Sequence, residues 1–164
     1  MDIDQLRGMA VVSVQQAEKL GTIDDVLIDL EQHRIGGLLL HGGLFRGGPV
    51  VGWASVSTIG HDAVMVDNTN VTGTATDGDV AGLTRMSALR GMKVVTDAGE
   101  LAGTIDGADI DPATGQITRY VVAAPSGGFF HRAPRFLLPP ASIAAVGVDL
   151  MTVDAKAIDS QREK

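Results

Sequence analysis

No cysteine occurs in these 164 residues, which excludes disulfides and thiolate chemistry and fits a reducing compartment. Aromatic residues are scarce: one Trp, one Tyr and four Phe. No apolar run approaches the roughly 18 residues of a membrane span, and the best, Ile35 to Leu40, is far too short. A basic surplus is missing too. The net charge of −7 repels phosphate backbones and anionic lipid, so it disfavours direct nucleic-acid binding and membrane insertion. The opening Met1-Asp2-Ile3-Asp4 is acidic where a signal peptide would be basic and then apolar. Together these absences predict a cytoplasmic protein.

What is present is repetition. Leu6-Arg7-Gly8-Met9-Ala10-Val11-Val12 returns as Leu89-Arg90-Gly91-Met92-Lys93-Val94-Val95. Gly21-Thr22-Ile23-Asp24 returns as Gly103-Thr104-Ile105-Asp106, and Ile28-Asp29 as Ile110-Asp111. Asp62-Ala63-Val64-Met65-Val66 is matched by Asp149-Leu150-Met151-Thr152-Val153. Self-similarity at a fixed period marks a supersecondary unit used twice, here of about 65 residues each. Units so small bury only about 60% of their unfolded surface, so packing against each other or a partner is expected.

Within a repeat the signals are those of strands. Val11, Val12 and Val14 open a β-branched run, and Gln15 to Lys19 is a turn. Thr22 to Asp29 alternates imperfectly, which predicts a bulge near Asp24-Asp25. Glu31-Gln32-His33-Arg34 and Asp111-Pro112-Ala113-Thr114-Gly115 are the turns of two hairpins, the second with Gly where positive φ is needed. Ile35 to Leu40 and Ile117 to Ala123 return as apolar strands suited to a barrel interior. Glycine-rich loops follow, then short strands at Val50 to Val56 and Phe136 to Ile143. Each unit ends with a strand, Ala63 to Val66 or Leu150 to Val153. Short strands punctuated this often predict small all-β barrels. Asn68 to Asp79 reads as a linker, with Asp77 capping a short helix that runs to Met86.

Leu-Arg-Gly-Met-x-Val-Val, then Gly-Thr-Ile-Asp, an apolar strand, a Gly-Gly-aromatic loop and the Ala-Ser segments Ala54-Ser55 and Ala141-Ser142 resemble the PRC-barrel family. The order occurs twice, over Leu6 to Asp67 and Met86 to Asp154. The resemblance implies two tandem six-stranded antiparallel β-barrels: 5–67, then a linker 68–85, then 86–155, with a charged tail 156–164 that is helical or frayed. It also implies a role in holding macromolecular assemblies together rather than catalysis. A related barrel in the RimM ribosome-maturation factors supplies an alternative, an accessory role in ribosome assembly or RNA processing through ribosomal proteins. Family members often carry an acid after the Gly-Thr-[Val/Ile] strand; Asp25 fills that place and Gly107 departs from it. Where the family has Pro-Trp, this chain has Gly52-Trp53 and Pro139-Pro140.

The residues that could carry chemistry do not assemble into motifs. Asp24 and Asp106 lack the Asp-Thr-Gly context of a two-carboxylate protease site and read as solvated strand-end acids. Asp106, Asp109 and Asp111, or Asp77-Gly78-Asp79, fall short of a calcium loop. His33, His41, His61 and His131 have no tight ligand spacing and are expected in solvent. No serine lies in a nucleophile elbow, and no Gly-rich loop completes a phosphate-binding motif. No enzyme activity, cofactor or resident metal is expected.

The most informative residues are in the glycine-rich loops. All four phenylalanines, Phe45, Phe129, Phe130 and Phe136, lie in or just after them. Phe45 is followed by Arg46, and Phe129-Phe130 by His131-Arg132, a composition enriched at interface cores. These six residues, Phe136 aside, are the candidate interaction site. Two readings stay open: an anchor patch for another protein, or aromatic plugs for barrel ends or the seam between repeats. Trp53 is expected to cover one barrel end, its indole N–H meeting a backbone carbonyl. The expectation is a non-catalytic adaptor or scaffold for a protein partner, itself a homo-oligomer.

Overall fold

The computed structural model describes residues 1–41, 49–67, 72–74 (as backbone), 82–125 and 134–156. Strands dominate, in two ladders. The first is built from β1 (Ala10–Ser13), β2 (Glu18–Asp29), β3 (Arg34–Leu40), β4 (Pro49–Gly52), β5 (Val56–Ile59), β6 (Ala63–Val66), β7 (Thr72–Thr74) and β8 (Thr84–Arg85). A single helical turn, α1 (Met86–Leu89), follows. The second ladder comprises β9 (Lys93–Thr96), β10 (Leu101–Ile110), β11 (Ile117–Ala123), β12 (Arg135–Leu138), β13 (Ile143–Val146) and β14 (Leu150–Val153).

The ladder orders coincide. The first runs β5-β6-β1-β2-β3-β4-β7, with β8 added to β2, and the second runs β13-β14-β9-β10-β11-β12. The sequence echo is therefore a structural one. Among the described residues no ladder joins the last strand of either sheet to its first. By contacts the chain divides into unit 1, residues 1–87 with 110–116, and unit 2, residues 88–109 with 117–164.

Three expectations need correction. The ladders are not wholly antiparallel, because β1 pairs parallel with β6 and β9 parallel with β14. The expected strands Val50–Val56 and Phe136–Ile143 are each broken by a 3₁₀ turn, at Trp53–Ser55 and Pro140–Ser142. The β5–β6 hairpin returns the chain alongside β1 in the same direction. Pro140, lacking an N–H to give a ladder, opens the second turn. The short helix also lies after Met86 rather than before it, since Thr84–Arg85 is strand.

Other readings hold. The register of β2 on β3 shifts between Ile23 and Asp25, where the broken alternation placed a bulge. The continuous apolar run of β3 is explained by burial of both its faces. Leu38 and Leu40 lie in the main core, while Leu39 joins Leu27, Val50 and Leu83 in a separate cluster. Burying two faces demands apolar residues at successive positions, which defeats simple alternation.

Candidate functional site

The loop-tip residues Phe45, Arg46, Phe129, Phe130, His131 and Arg132 lie outside the described residues, as do Asp77 and Asp79. The described residues at the stems of those loops do carry a shared feature. In unit 1, His41 leaves β3 with its Nδ1 3.4 Å from Asp24 Oδ1. In unit 2, Arg135 opens β12 with its Nη2 3.0 Å from Asp106 Oδ2. Asp24 and Asp106 are equivalent positions of the repeats, so each stem sets a basic side chain against the same acid, from opposite sides of its loop. The pair in unit 1 is further fixed by Arg7 Nε, which donates to the Asp24 carbonyl at 3.1 Å. The Asp106–Arg135 pair is solvent-facing and contributes about 0.5 kcal/mol, enough to bias a stem rather than to hold a fold. Phe136, the remaining loop aromatic, pairs with Val122 in the ladder and is half-buried.

Asp25, the acid at the family position, is structural. It is 4% exposed and accepts from Val26 N at 2.9 Å, Ser87 Oγ at 2.5 Å and Ser87 N at 3.4 Å. The carboxylate thus ties β2 to the start of α1 within unit 1.

Unit 1 contains an exchange between equivalent segments of the two repeats. Thr84 of β8 pairs with Ile28. Its counterpart Met1 pairs with Ile110, through Ile110 N to Met1 O at 2.7 Å and the Met1 amine to Ile110 O at 3.1 Å. The two hairpin turns meet as well: Arg34 bridges its own equivalent Gln116, and Ile35 N donates to Gly115 O at 2.8 Å. Trp53 packs here, since a Cβ on Gly115 would come within 2.6 Å of its ring.

The acids considered for metal are otherwise engaged. Asp106 pairs with Arg135, Asp109 with Arg119 Nε at 2.6 Å, and Asp111 accepts from Ala113 N at 2.9 Å. Among the described residues no group of three His, Cys, Asp or Glu side chains is placed to share an ion. His61 and His41 face solvent as expected. His33 does not; partial burial holds its imidazole below its usual value, against the opposing pull of Asp29. Tyr120 is fully buried on β11, and desolvation pushes its phenol far above the ordinary range. A shallow depression of about 430 Å³ in unit 1 is lined by Met1, Gln5, Met9, Gly60 and His61. Among the described residues no helix is long and apolar enough to cross a membrane.

The sequence reading missed the paired stems. Their signal was available: equivalent acids, Asp24 and Asp106, in β2 and β10.

Comparison with known proteins agrees with this frame. The PRC-barrel domain family matches residues 1–72 and again 82–159. An uncharacterized protein of Clostridium acetobutylicum is 29% identical over 75 residues, 42% of this chain and 86% of that protein. A solved structure from Pseudomonas aeruginosa, described as a 16S ribosomal RNA processing protein RimM, aligns over 81% of this chain and 96% of its own. That alignment has 15% identity and a TM-score of 0.31.

Proposed function

The chain belongs to the PRC-barrel family, and from that premise we propose that it is a non-catalytic cytoplasmic adaptor built from two barrel repeats that holds protein partners through its glycine-rich aromatic loops. The observation that supports this reading is the doubled stem: Asp24 meets His41 and Asp106 meets Arg135 at the bases of both loops, at equivalent places. A frame that repeats while its displayed side chains differ suits a protein that presents surfaces. The acidic charge of −7 favours partners with basic surfaces and adds on-rate more than affinity.

The test is the double variant Phe129→Ala/Phe130→Ala, followed by sedimentation and by thermal melting. The adaptor reading expects weaker association with the melting temperature held. Unchanged mass with a lowered melting temperature would make the phenylalanines core plugs and remove the loops as the contact. The second reading, an accessory role in ribosome assembly, is the one the RimM resemblance brings. It differs in predicting that ribosomal proteins are retained by the chain on co-purification.

A further inference from the structure

The second repeat displays an apolar face that the first does not. Among the described residues the large exposed apolar side chains are Val14, Leu101, Leu137, Val148 and Leu150, and all but Val14 are in unit 2. Two of these, Leu101 and Leu150, share one surface, and Val148 lies in the turn beside it. Leu101 lies beside Val95, Val95 beside Thr152, and Thr152 beside Ala145, so a row crosses β10, β9, β14 and β13. In the next row Leu150 lies beside Lys93, and Val148, 99% exposed, sits in the turn that precedes it. Cross-strand neighbours point to the same side of a sheet. Val94, Thr96, Met151 and Val153 alternate with these residues and are buried, so this side is the outer one.

The duplication supplies an internal control. The same rows in unit 1 place Lys19 beside Val12, Val12 beside Met65 and Met65 beside Thr58, with Ala10 beside Ala63. At equivalent places the second repeat therefore has Leu101 for Lys19, Leu150 for Ala63, Ala145 for Thr58 and Val148 for His61. Lys93 for Ala10 and Thr152 for Met65 run the other way and give the face a polar strip. The fold does not require leucine there, because the first repeat forms the same ladder without it. Around the face stand four exposed acids, Asp97, Glu100, Asp149 and Asp154, against Lys93 and Lys156.

We propose that this outer face of unit 2 docks a cationic amphipathic segment of a partner protein. The leucines and valine take its apolar side, and the acidic rim takes its basic residues. A second copy of the chain fits less well, since it would bring a like-charged rim and a further net charge of −7 against this one. A purely polycationic ligand would leave the apolar side chains in water. The inference rests on the adaptor reading but is separable from it, because the variants below leave both phenylalanine loops intact.

The probe is a short Leu/Lys amphipathic peptide, with oligolysine of equal charge as its control, titrated into the full chain while backbone amide shifts are followed. Expected are shifts centred on Val95, Leu101 and Leu150, and binding at least about tenfold weaker for oligolysine. The variant Leu101→Gln/Val148→Ser/Leu150→Ala adds no charge and alters positions where the first repeat has Lys19, His61 and Ala63. It should weaken peptide binding by about tenfold or more with the melting temperature retained. Equal binding by variant and wild type, or shifts confined to other acidic surfaces, overturns the proposal. So does absence of peptide binding in the wild type. Concentration-dependent self-association that this variant abolishes would overturn it in favour of a second copy.

Discussion

At the scale of single residues, the two repeats test each other. Gly103 in β10 lies so close to Ala123 that a Cβ would come within 2.2 Å of its carbonyl oxygen. The equivalent Gly21 would meet the Leu40 side chain, no nearer than 3.0 Å. Backbone cannot yield as a methyl group can. Gly103→Ala is expected to cost about 3 kcal/mol and Gly21→Ala about 1 kcal/mol, read as separate shifts in chemical denaturation. Comparable losses would show that the two bulges are not distinct in packing. The hairpin turns make a second pair: Gly115 has φ +76, and His33 holds the same place with φ 52. The left-handed conformation disfavours a side chain by about 1–2 kcal/mol, so Gly115→Ala destabilises by at least that, with the Trp53 ring in the way. His33 also carries a pH signature. Its folded pKa is depressed by burial, so the unfolded chain binds the proton more readily. The stability it contributes is present above its ordinary value near 6.5 and is lost as pH falls through the folded value. The melting temperature of wild type should fall relative to that of His33→Asn as pH drops below about 6.5; a constant difference from pH 8 to 5 would contradict the assignment.

At the scale of elements, the legible parts were those set locally. The repeat, the Ile23–Asp25 bulge, the turns and the paired strands all follow from patterns within a few residues. What sequence could not give were partners distant along the chain. Nothing in Thr84-Arg85 announces a strand, because its pairing is with Leu27 and Ile28. Nothing in Asp25 announces Ser87 as the donor to its carboxylate. The breaks at Trp53–Ser55 and Pro140–Ser142 were hidden for another reason: the Val, Leu and Ile residues on either side of each short turn read as one strand. Asp25→Ala removes the acceptor of both Ser87 groups and the Val26 amide, and should cost about 2 kcal/mol in unit 1. Exchange between equivalent segments gives a sharper prediction. The amides of Ile110 and Ile35 donate to Met1 and Gly115 inside unit 1. Their hydrogen exchange should slow and quicken together with the Val26 amide, and Asp25→Ala should speed all three. Ile110 exchanging independently of unit 1 would refute the exchange.

At the scale of the whole molecule, a small unit was copied and the copies share ladder order, a parallel strand pair and a paired stem while differing in what they show to solvent. The candidate site was legible only as composition: the phenylalanines flanked by basic residues could be named from sequence, whereas the stems and the apolar face of unit 2 needed cross-strand registers. A protein that works by presentation should lose partners when those surfaces change and keep its frame. The most direct measurement is quantitative affinity capture from the native cell extract, comparing wild type with Phe129→Ala/Phe130→Ala at matched loading. The account predicts a defined set of proteins depleted with the variant while its melting temperature is unchanged. An identical captured set for both chains would contradict it.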